Sequence, residues 1–285
     1  SNVITELLKV FETIQIKESR SKILRGKDLL KTIAVIYYHK SNRAAANIMS
    51  KNCDVRLVWG GNNAVDAISS LPRKTLSNDI IFGPKISFMA IGKESFLTDR
   101  LYKKIVRKAA TDVSVFDQTA CASPHTIFVE QGGRYTAKNF AEKLSLEMGK
   151  ALLRIPIGEF DSNREHLIAS KRVLYEFMGH VWKPNSLDWT VLYDENKGLA
   201  EPVYARTITV RPVKDIMEVT AYASNEIQTI GLSIQGRRRL EFAEAVASKG
   251  VERCPDIGFM THFENPWDGQ FVIQKMVRWT TLGGP

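Results

Sequence analysis

Cysteine, histidine and long apolar runs are scarce in this chain of 285 residues, and each scarcity narrows the functions that remain open. The 3 cysteines, Cys53, Cys121 and Cys254, are widely spaced and odd in number, which argues against a disulfide framework and favours a reducing compartment, the cytoplasm. No apolar run reaches the roughly 20 residues that span a bilayer, and the first residues lack the layout of a secretory signal. The 5 histidines share no ligand spacing with each other or with the cysteines, so we expect no metal site.

The chain carries a net positive charge, and its basic residues are dispersed along the sequence. A net charge of +9 favours polyanionic ligands, such as the phosphates of a nucleotide or of coenzyme A. The run Arg237-Arg238-Arg239 is most simply the solvated face of a helix, and no nucleic-acid signature accompanies it. We therefore expect no nucleic-acid partner, and the 44% hydrophobic content suits one large or two ordinary globular domains.

Strand and helix patterns alternate along the chain, which is typical of parallel sheets with helical crossovers. The first thirty residues predict two helices, the second over 21–30, and residues 158–185 predict a less regular region. The predicted strands are 33–38, 55–59, 86–91, 126–129, 190–192, 207–210 and 230–234. The other predicted helices are 42–50, one from 62, 97–109, 137–148, 214–223 and 239–248.

The stretch from Phe116 to Glu130 carries the strongest chemical signal. Cys121 lies there in a short polar loop between the helix over 97–109 and the strand over 126–129. A thiol on such a loop can meet a substrate, so Cys121 is the best nucleophile candidate, although free cysteines are often small buried apolar residues. His125 is a candidate to polarise this thiol or to protonate an aldehyde oxyanion.

The same stretch resembles a known family. Gln118 and the loop-then-strand context resemble the cysteine segment of the aldehyde dehydrogenase superfamily, and the Phe-Asp-Gln lead into Ala-Cys is most similar to the LuxC-type acyl-CoA reductases. The resemblance, from about Thr32 onwards, implies an α/β, aldehyde dehydrogenase-like fold. Residues 1–92 would be the remaining part of a doubly wound dinucleotide-binding domain with N-terminal helices, and 93–285 the catalytic cysteine domain with a C-terminal segment. Such chains are far longer, so we expect a fragment or a large missing internal piece.

Two segments would hold the cofactor. A strand ending in Trp59-Gly60-Gly61 leads into a helix, and such a turn can bind phosphate, although it is often purely structural and the fuller Gly-x-Gly-x-x-Gly pattern is absent. The resemblance places this turn under the pyrophosphate of NADPH. Glu201, in Glu-Pro-Val-Tyr, resembles the superfamily glutamate that hydrogen-bonds the nicotinamide ribose. Ala205 and Arg206 stand where a glycine and a proline normally follow the aromatic residue.

A further comparison concerns the fate of an acyl-enzyme. Hydrolytic aldehyde dehydrogenases have a water-activating glutamate in a segment that is similar to residues 89–93, where this chain has Met89. Methionine cannot act as a base, so unless Glu94 supplies the carboxylate we expect the thioester to be reduced or exchanged with a thiol.

The resemblance implies NADPH-dependent reduction of a long-chain fatty acyl-CoA or acyl-protein thioester to an aldehyde through an acyl-enzyme on Cys121, as in the supply of aldehyde for bacterial luminescence. It also implies acyl-protein synthetase and acyl-transferase subunits as partners, and a homo-oligomer. Two alternatives stay open, a non-catalytic α/β binding module and a phosphate-activated acyl reductase of a small substrate.

Overall fold

The computed structural model of the chain describes residues 2–17 and 23–283. Its α-helices are α1 (Asn2–Phe11), α2 (Gly26–Leu30), α3 (Arg43–Asn52), α4 (Asn62–Ser69), α5 (Asp99–Ser114), α6 (Ala137–Arg154), α7 (Ser162–Met178), α8 (Gly236–Ala247) and α9 (Val272–Met276). Its strands are β1 (Gln15–Lys17), β2 (Ile23–Arg25), β3 (Val55–Trp59), β4 (Asn78–Phe82), β5 (Ile86–Ile91), β6 (Pro124–Glu130), β7 (His180–Trp182), β8 (Thr190–Tyr193), β9 (Thr207–Val213) and β10 (Ile227–Ser233). Short 3-10 helices cover Lys93–Phe96, Val115–Gln118 and Ile216–Tyr222.

A mixed sheet of six strands organises the larger part of the chain. Its order is β10-β5-β6-β9-β8-β7, and neighbouring strands are parallel except for the antiparallel pair β7 and β8. Every residue of β6 and β8 is buried, as in strands that are covered on both faces. The prediction of a parallel sheet with helical crossovers is therefore confirmed for this part of the chain.

Two hydrophobic clusters cover the two faces of this sheet, because side chains alternate between the faces along each strand. On one face, Tyr102 of α5 and Phe140 of α6 pack on residues such as Met89 of β5. On the other face, Phe242 of α8 packs with Ile216 of the 3-10 helix. None of the helices within residues 2–17 and 23–283 combines the length and apolar content that a bilayer crossing needs.

The chain contains two compact units, one of residues 1–57 and 66–79 and the other of residues 58–65 and 80–285. Strand β5 (Ile86–Ile91) lies between β10 and β6 in the large sheet. In the first unit, Arg56 is buried and its Nε atom lies 2.7 Å from Oδ1 of Asp79.

The predicted strand over 33–38 is wrong. Residues 33–38 have no strand assignment, and the side chains of Ile36 and Tyr37 are 63% and 85% exposed. A short apolar, β-branched run favours a strand by composition, but a strand also needs a neighbouring strand for its hydrogen bonds. The helix expected over 21–30 is also wrong in part, because 23–25 form β2 before α2, while Ser21 and Lys22 lie outside the described residues.

The region 158–185 is more regular than we predicted. It contains α7, which begins after Asp161, whose carboxylate accepts a hydrogen bond from the Arg164 N–H at 2.9 Å. Only Ile168 and Arg172 of this helix are buried, while Phe177 is 86% exposed, so no clear apolar face marks the helix in the sequence. The helix predicted over 214–223 is the shorter 3-10 helix Ile216–Tyr222. The predicted strands 55–59 and 86–91 are present with the predicted bounds, and the remaining predicted helices and strands are present with shifted ends.

Candidate active site

The loop that carries Cys121 has an unusual backbone. After α5 ends at Ser114, Phe116, Asp117 and Gln118 have φ values of 55°, 49° and 61°, in the left-handed region that side chains rarely adopt. A second such segment lies opposite, since Tyr204, Ala205 and Arg206 have φ values of 64°, 46° and 58°. Left-handed backbone of this kind persists only where the surrounding structure holds it.

Hydrogen bonds join these two left-handed segments. The Ala205 N–H donates to the Asp117 carbonyl at 3.0 Å, and the Asp117 carboxylate pairs with Arg206. The buried Gln118 amide nitrogen donates to the carbonyls of Pro124 at 2.8 Å and Thr207 at 3.1 Å. Gln118 therefore braces the loop against the starts of β6 and β9, which is a structural role.

The strands beside the loop are irregular at one level, that of Ser87 in β5. Relative to β5, β6 has one extra residue there, His125, and β10 has one extra residue among Gln228 and Thr229. Bulges of this kind bend a strand and re-aim its side chains. The Ser87 hydroxyl donates to the Cys121 carbonyl at 2.7 Å and accepts from the Thr229 N–H at 3.1 Å, so the cysteine loop is tied to both bulged strands.

Of the three cysteines, Cys121 is the exposed one, and Cys53 and Cys254 are half-buried. Burial of its sulfur raises the pKa of the Cys121 thiol, and the nearby charge of Asp268 raises this pKa further. The Gln228 side chain and the backbone N–H groups of Cys121 and Ala122 act in the opposite sense, by hydrogen bonding to the sulfur. Burial raises the pKa of Cys254 to about 11. Cys121 is therefore favoured as the nucleophile, because it is the most exposed of the three cysteines and a substrate can reach it.

His125 is buried and lies in a different set of contacts. Its ring meets Tyr204 edge-on at 4.8 Å between centroids, and the Arg164 guanidinium lies 4.6 Å from the centre of the same tyrosine ring. Burial, with a smaller effect of the Arg164 charge, lowers the pKa of His125 to about 4. None of the hydrogen bonds among residues 2–17 and 23–283 joins His125 to Cys121. His125 is therefore neutral near pH 7, and the structure places its ring against Tyr204.

The turn Trp59-Gly60-Gly61 has the predicted form, between β3 and α4. A side chain at Gly60 would come within 2.9 Å of the Ala64 Cβ, whereas a Cβ at Gly61 would meet nothing within 4 Å. The backbone at Gly61 is thus open to a ligand, which fits a phosphate at this turn.

The Trp59 ring belongs to an aromatic cluster. It stacks on Phe82 at 4.8 Å between centroids and lies 5.7 Å from Trp267. Trp267 directly precedes Asp268, whose charge acts on the Cys121 thiol.

Glu201 is exposed, and its Oε2 atom accepts from Lys171 Nζ at 2.8 Å, which lowers the pKa of the carboxyl. Lys171 and Glu201 line a cavity of about 270 Å³. The same cavity is lined by Arg211 and Asp194, which form a buried ion pair. The carboxylate is thus engaged by Lys171, and a ribose hydroxyl at Glu201 would share it with that ammonium.

Met89, which aligns with the water-activating glutamate of hydrolytic aldehyde dehydrogenases, is a core residue. Met89 lies within β5 and is fully buried in the core, so a side chain at this position packs rather than meets a substrate. Glu94 accepts instead from Arg238 at 3.0 Å and from the Gln235 N–H at 2.9 Å.

The sequence did not indicate two residues that act on the pKa of the Cys121 thiol, Gln228 and Asp268. Asp268 and Gly269 form a tight turn, with φ values of 46° and 70° and reciprocal backbone hydrogen bonds between Trp267 and Gln270 at 3.0 and 2.9 Å. The Asp-Gly pair is a sequence signal for such a turn, but it says nothing about what the turn faces. Within residues 2–17 and 23–283, no cluster of three His, Cys, Asp or Glu side chains could hold a metal ion.

The sheet order, with the cysteine loop leading into the internal strand β6, is that of an aldehyde dehydrogenase-like fold. An NAD-dependent aldehyde dehydrogenase from Burkholderia multivorans aligns with a TM-score of 0.57 and 10% identity, over 81% of this chain and 45% of its own. An NADP-dependent glyceraldehyde-3-phosphate dehydrogenase from Bacillus halodurans, complexed with NADP, aligns with a TM-score of 0.51 and 14% identity, over 71% and 44%. The predicted fold class is therefore confirmed.

Within this fold class, the model of the acyl-CoA reductase (LuxC) family matches residues 5–279, and the chain belongs to that family. Long-chain acyl-protein thioester reductases from Photorhabdus laumondii and Photobacterium phosphoreum are each 25% identical, over 264 and 265 residues. The alignments cover 90% of this chain and 52% and 51% of those proteins. The chain thus spans about half the length of the curated relatives it matches.

Proposed function

We propose that this chain carries the cysteine half of a nicotinamide-dependent reductase, which converts a long-chain acyl thioester into an aldehyde through an acyl-enzyme on Cys121. The observation that carries the proposal is the exposed Cys121 on a hydrogen-bonded loop at the N-terminal end of β6, beside the bulges of β6 and β10. The family match supports the same chemistry.

The first step is an exchange of thioesters. The Cys121 sulfur attacks the acyl carbonyl, the new carbon–sulfur bond forms, and the donor thiol leaves with the proton that Cys121 loses. Backbone N–H groups near Cys121 would stabilise the oxyanion that forms on the acyl oxygen in the tetrahedral state.

The nicotinamide cofactor supplies the hydride that turns the bound acyl group into an aldehyde. In this chain the open backbone at Gly61, the N-terminus of α4, Trp59, Gly60 and Glu201 would hold parts of it. We propose NADPH as the reductant, because the family resemblance that identifies the cysteine loop implies it.

We propose the acyl donor, the partner subunits and the cellular role from the similarity to the relatives. Their name, long-chain acyl-protein thioester reductase, supports a fatty acyl group delivered by a protein or by coenzyme A. We further propose a cytoplasmic homo-oligomer that cooperates with acyl-protein synthetase and acyl-transferase subunits and supplies aldehyde for luminescence. A non-catalytic module would share the fold but accept no acyl group.

The deciding experiment is acylation of the chain by radiolabelled palmitoyl-CoA, a long-chain acyl donor, followed by peptide mapping. We expect one hydroxylamine-labile label, on Cys121, that is lost in Cys121→Ser and retained in Cys53→Ser and Cys254→Ser. Label on Cys53 or Cys254, or label that persists in Cys121→Ser, contradicts the proposal. A chain that folds but takes no label favours the binding module, and transfer only from an acyl phosphate favours the phosphate-activated reductase.

A further inference from the structure

A groove of about 1040 Å³ lies between α5 and α6, and cations form most of its lining. Besides one carboxylate and one leucine, the lining consists of six lysine and arginine side chains. These six cations are Arg100, Lys103, Lys104 and Arg107 of α5, and Lys143 and Lys150 of α6. The groove is therefore strongly positive.

The two helices run in the same direction, so the cations form two rows that lie side by side. Near the start of both helices, the Tyr102 hydroxyl donates to the Asn139 carbonyl at 2.8 Å. Further along both helices, Oγ of Ser114 lies 4.0 Å from Sδ of Met148. Within each row, cations seven positions apart are separated by about 10 Å along the helix. The two rows are therefore similar in length and flank the groove on both sides.

Most of this positive charge has no counter-charge within the chain. Among residues 2–17 and 23–283, Lys150 is the groove cation that forms an ion pair, with Glu147 at 2.6 Å. The Asp99 carboxylate is within electrostatic range of Lys103, but it pairs with Arg134 at 3.0 Å. Like charges three or four positions apart on a helix destabilise it, so both rows gain when a polyanion binds between them.

The shape and the apolar neighbours of the groove favour an acidic protein helix over other polyanions. Among the described residues that line it, none is an aromatic side chain on which a nucleobase could stack. A bilayer surface is flat and cannot enter a groove between two helices. Leu101 lines the groove, and Leu146 and Leu153, each three positions after a groove lysine, are 56% and 85% exposed. A helix with carboxylates and apolar side chains on one face matches both features.

We propose that this groove is a docking site for an acidic amphipathic helix of a partner protein. The carboxylates of that helix pair with the two rows of cations, and its apolar side chains contact the leucines. The inference goes beyond the proposed function, because it concerns the surface of α5 and α6 and involves no step at Cys121. A chain that takes no acyl label on Cys121 would overturn the proposed function and leave this inference standing.

The probe is a fluorescein-labelled synthetic helix of about 20 residues, with glutamates and leucines three and four positions apart on one face. Its binding to the chain is measured by fluorescence anisotropy at low salt, where charge pairs are least screened. One control peptide has the same residues in scrambled order, and a second has lysine in place of each glutamate. We expect the acidic helix to bind at least about tenfold more tightly than the scrambled peptide, because its carboxylates are already ordered on one face. The lysine peptide should not bind.

Lys103→Glu combined with Lys104→Glu reverses two exposed charges of the groove. The matched control is Lys197→Glu combined with Lys214→Glu, which changes the net charge equally at two exposed lysines of another cavity. We expect the groove variant to bind the acidic helix at least about tenfold more weakly, and the control to stay within about threefold of the parent chain. Lys143→Gln, in the α6 row, should weaken binding by about threefold. Circular dichroism checks that the variants fold as the parent chain does.

Equal weakening by the groove variant and its control would overturn the inference, because the peptide would then respond to net charge alone. Equal binding of the scrambled peptide would show that no helical face is recognised, and an unchanged affinity in Lys143→Gln would remove α6 from the site. Tighter binding of a single-stranded oligothymidine, or of vesicles that contain phosphatidylglycerol, would assign the groove to nucleic acid or to a membrane. Dimerisation of the parent chain that the groove variant loses would assign it to a second copy of the chain.

Discussion

The Nε atom of Arg206 lies 2.6 Å from Oδ1 of Asp117, and this ion pair joins the two left-handed segments beside the cysteine. Arg206 is 1% exposed and also donates to the carbonyls of Ile155 at 2.9 Å and Pro156 at 3.0 Å. The Gly158 N–H donates to the second oxygen of Asp117 at 2.9 Å. Arg206 stands where the family resemblance expects a proline, and it holds the cysteine loop through a charge that has no access to water.

Asp117→Asn should destabilise the chain because it leaves the buried Arg206 guanidinium without its counter-charge. We expect a loss of about 3 kcal/mol in the free energy of unfolding, measured by urea denaturation. Glu241→Gln is the control, since it breaks the exposed pair with Arg237 and should cost at most about 1 kcal/mol. Equal losses in both variants would show that the Arg206 pair does not hold the loop.

Gln228→Met should separate the reactivity of the thiol from the stability of the fold. The Gln228 hydrogen bond lowers the pKa of Cys121, so its loss should raise that pKa and slow alkylation by iodoacetamide at pH 8. Stability should not fall, because methionine fills a similar volume and removes the buried Oε1 atom that lacks a partner. The exposed residue Gln131 provides the control, Gln131→Met, and alkylation that is equally fast in all three proteins would contradict this role.

His125 should make the chain sensitive to acid. Its pKa is about 4 in the folded chain and near 6.5 when unfolded, so the unfolded chain takes up a proton first as the pH falls. The stability that neutral His125 contributes is present above about pH 6.5 and is lost progressively toward pH 4, by at most about 3 kcal/mol.

The test is urea unfolding of the parent chain and of His125→Phe between pH 7.5 and pH 4.5. We expect the parent to lose more stability than the variant across this range. Burial raises the pKa of Asp112 to about 7, which changes stability in the opposite direction, but it does so in both proteins. Parallel curves for the two proteins would show that His125 is not protonated differently on unfolding.

NADPH should bind this chain weakly. A dinucleotide crosses both halves of a doubly wound domain, while the contacts assigned here reach only its pyrophosphate and nicotinamide ribose. These contacts must offset an association cost of roughly 4 to 15 kcal/mol, and the Glu201 carboxylate is already paired with Lys171.

Titration calorimetry should therefore show affinity at least about 100-fold below that of the Photobacterium phosphoreum relative, a difference of about 2.7 kcal/mol. Equal micromolar binding by both proteins would show that the cofactor site within this chain is complete.

Local sequence patterns were sufficient for much of the fold. The apolar runs in 86–91, 126–129 and 207–210 identified strands β5, β6 and β9, and Asn42 before an alanine-rich run marked the start of α3. The loop that carries Cys121 was also predictable, because a helical period stops at one side of it and a β-rich run starts at the other. The apolar run 33–38 has a similar local pattern but pairs with no neighbouring strand, so the prediction of a strand there was wrong.

The sequence by itself determined the order of the elements, the family and the choice of Cys121, because periodicity, turn residues and short motifs are encoded over a few neighbouring positions. Only the tertiary structure decided what surrounds the thiol. Gln228 and Asp268 are far from Cys121 along the chain, but both act on the pKa of its thiol in the fold. Gln228 lies at this end of the sheet because β10 pairs with β5, and Trp267, beside Asp268, packs with Trp59. The fold also packs the His125 ring against Tyr204. Burial lowers the pKa of His125 and raises that of Asp268, because desolvation depends on all the atoms packed around a side chain and not on its sequence neighbours.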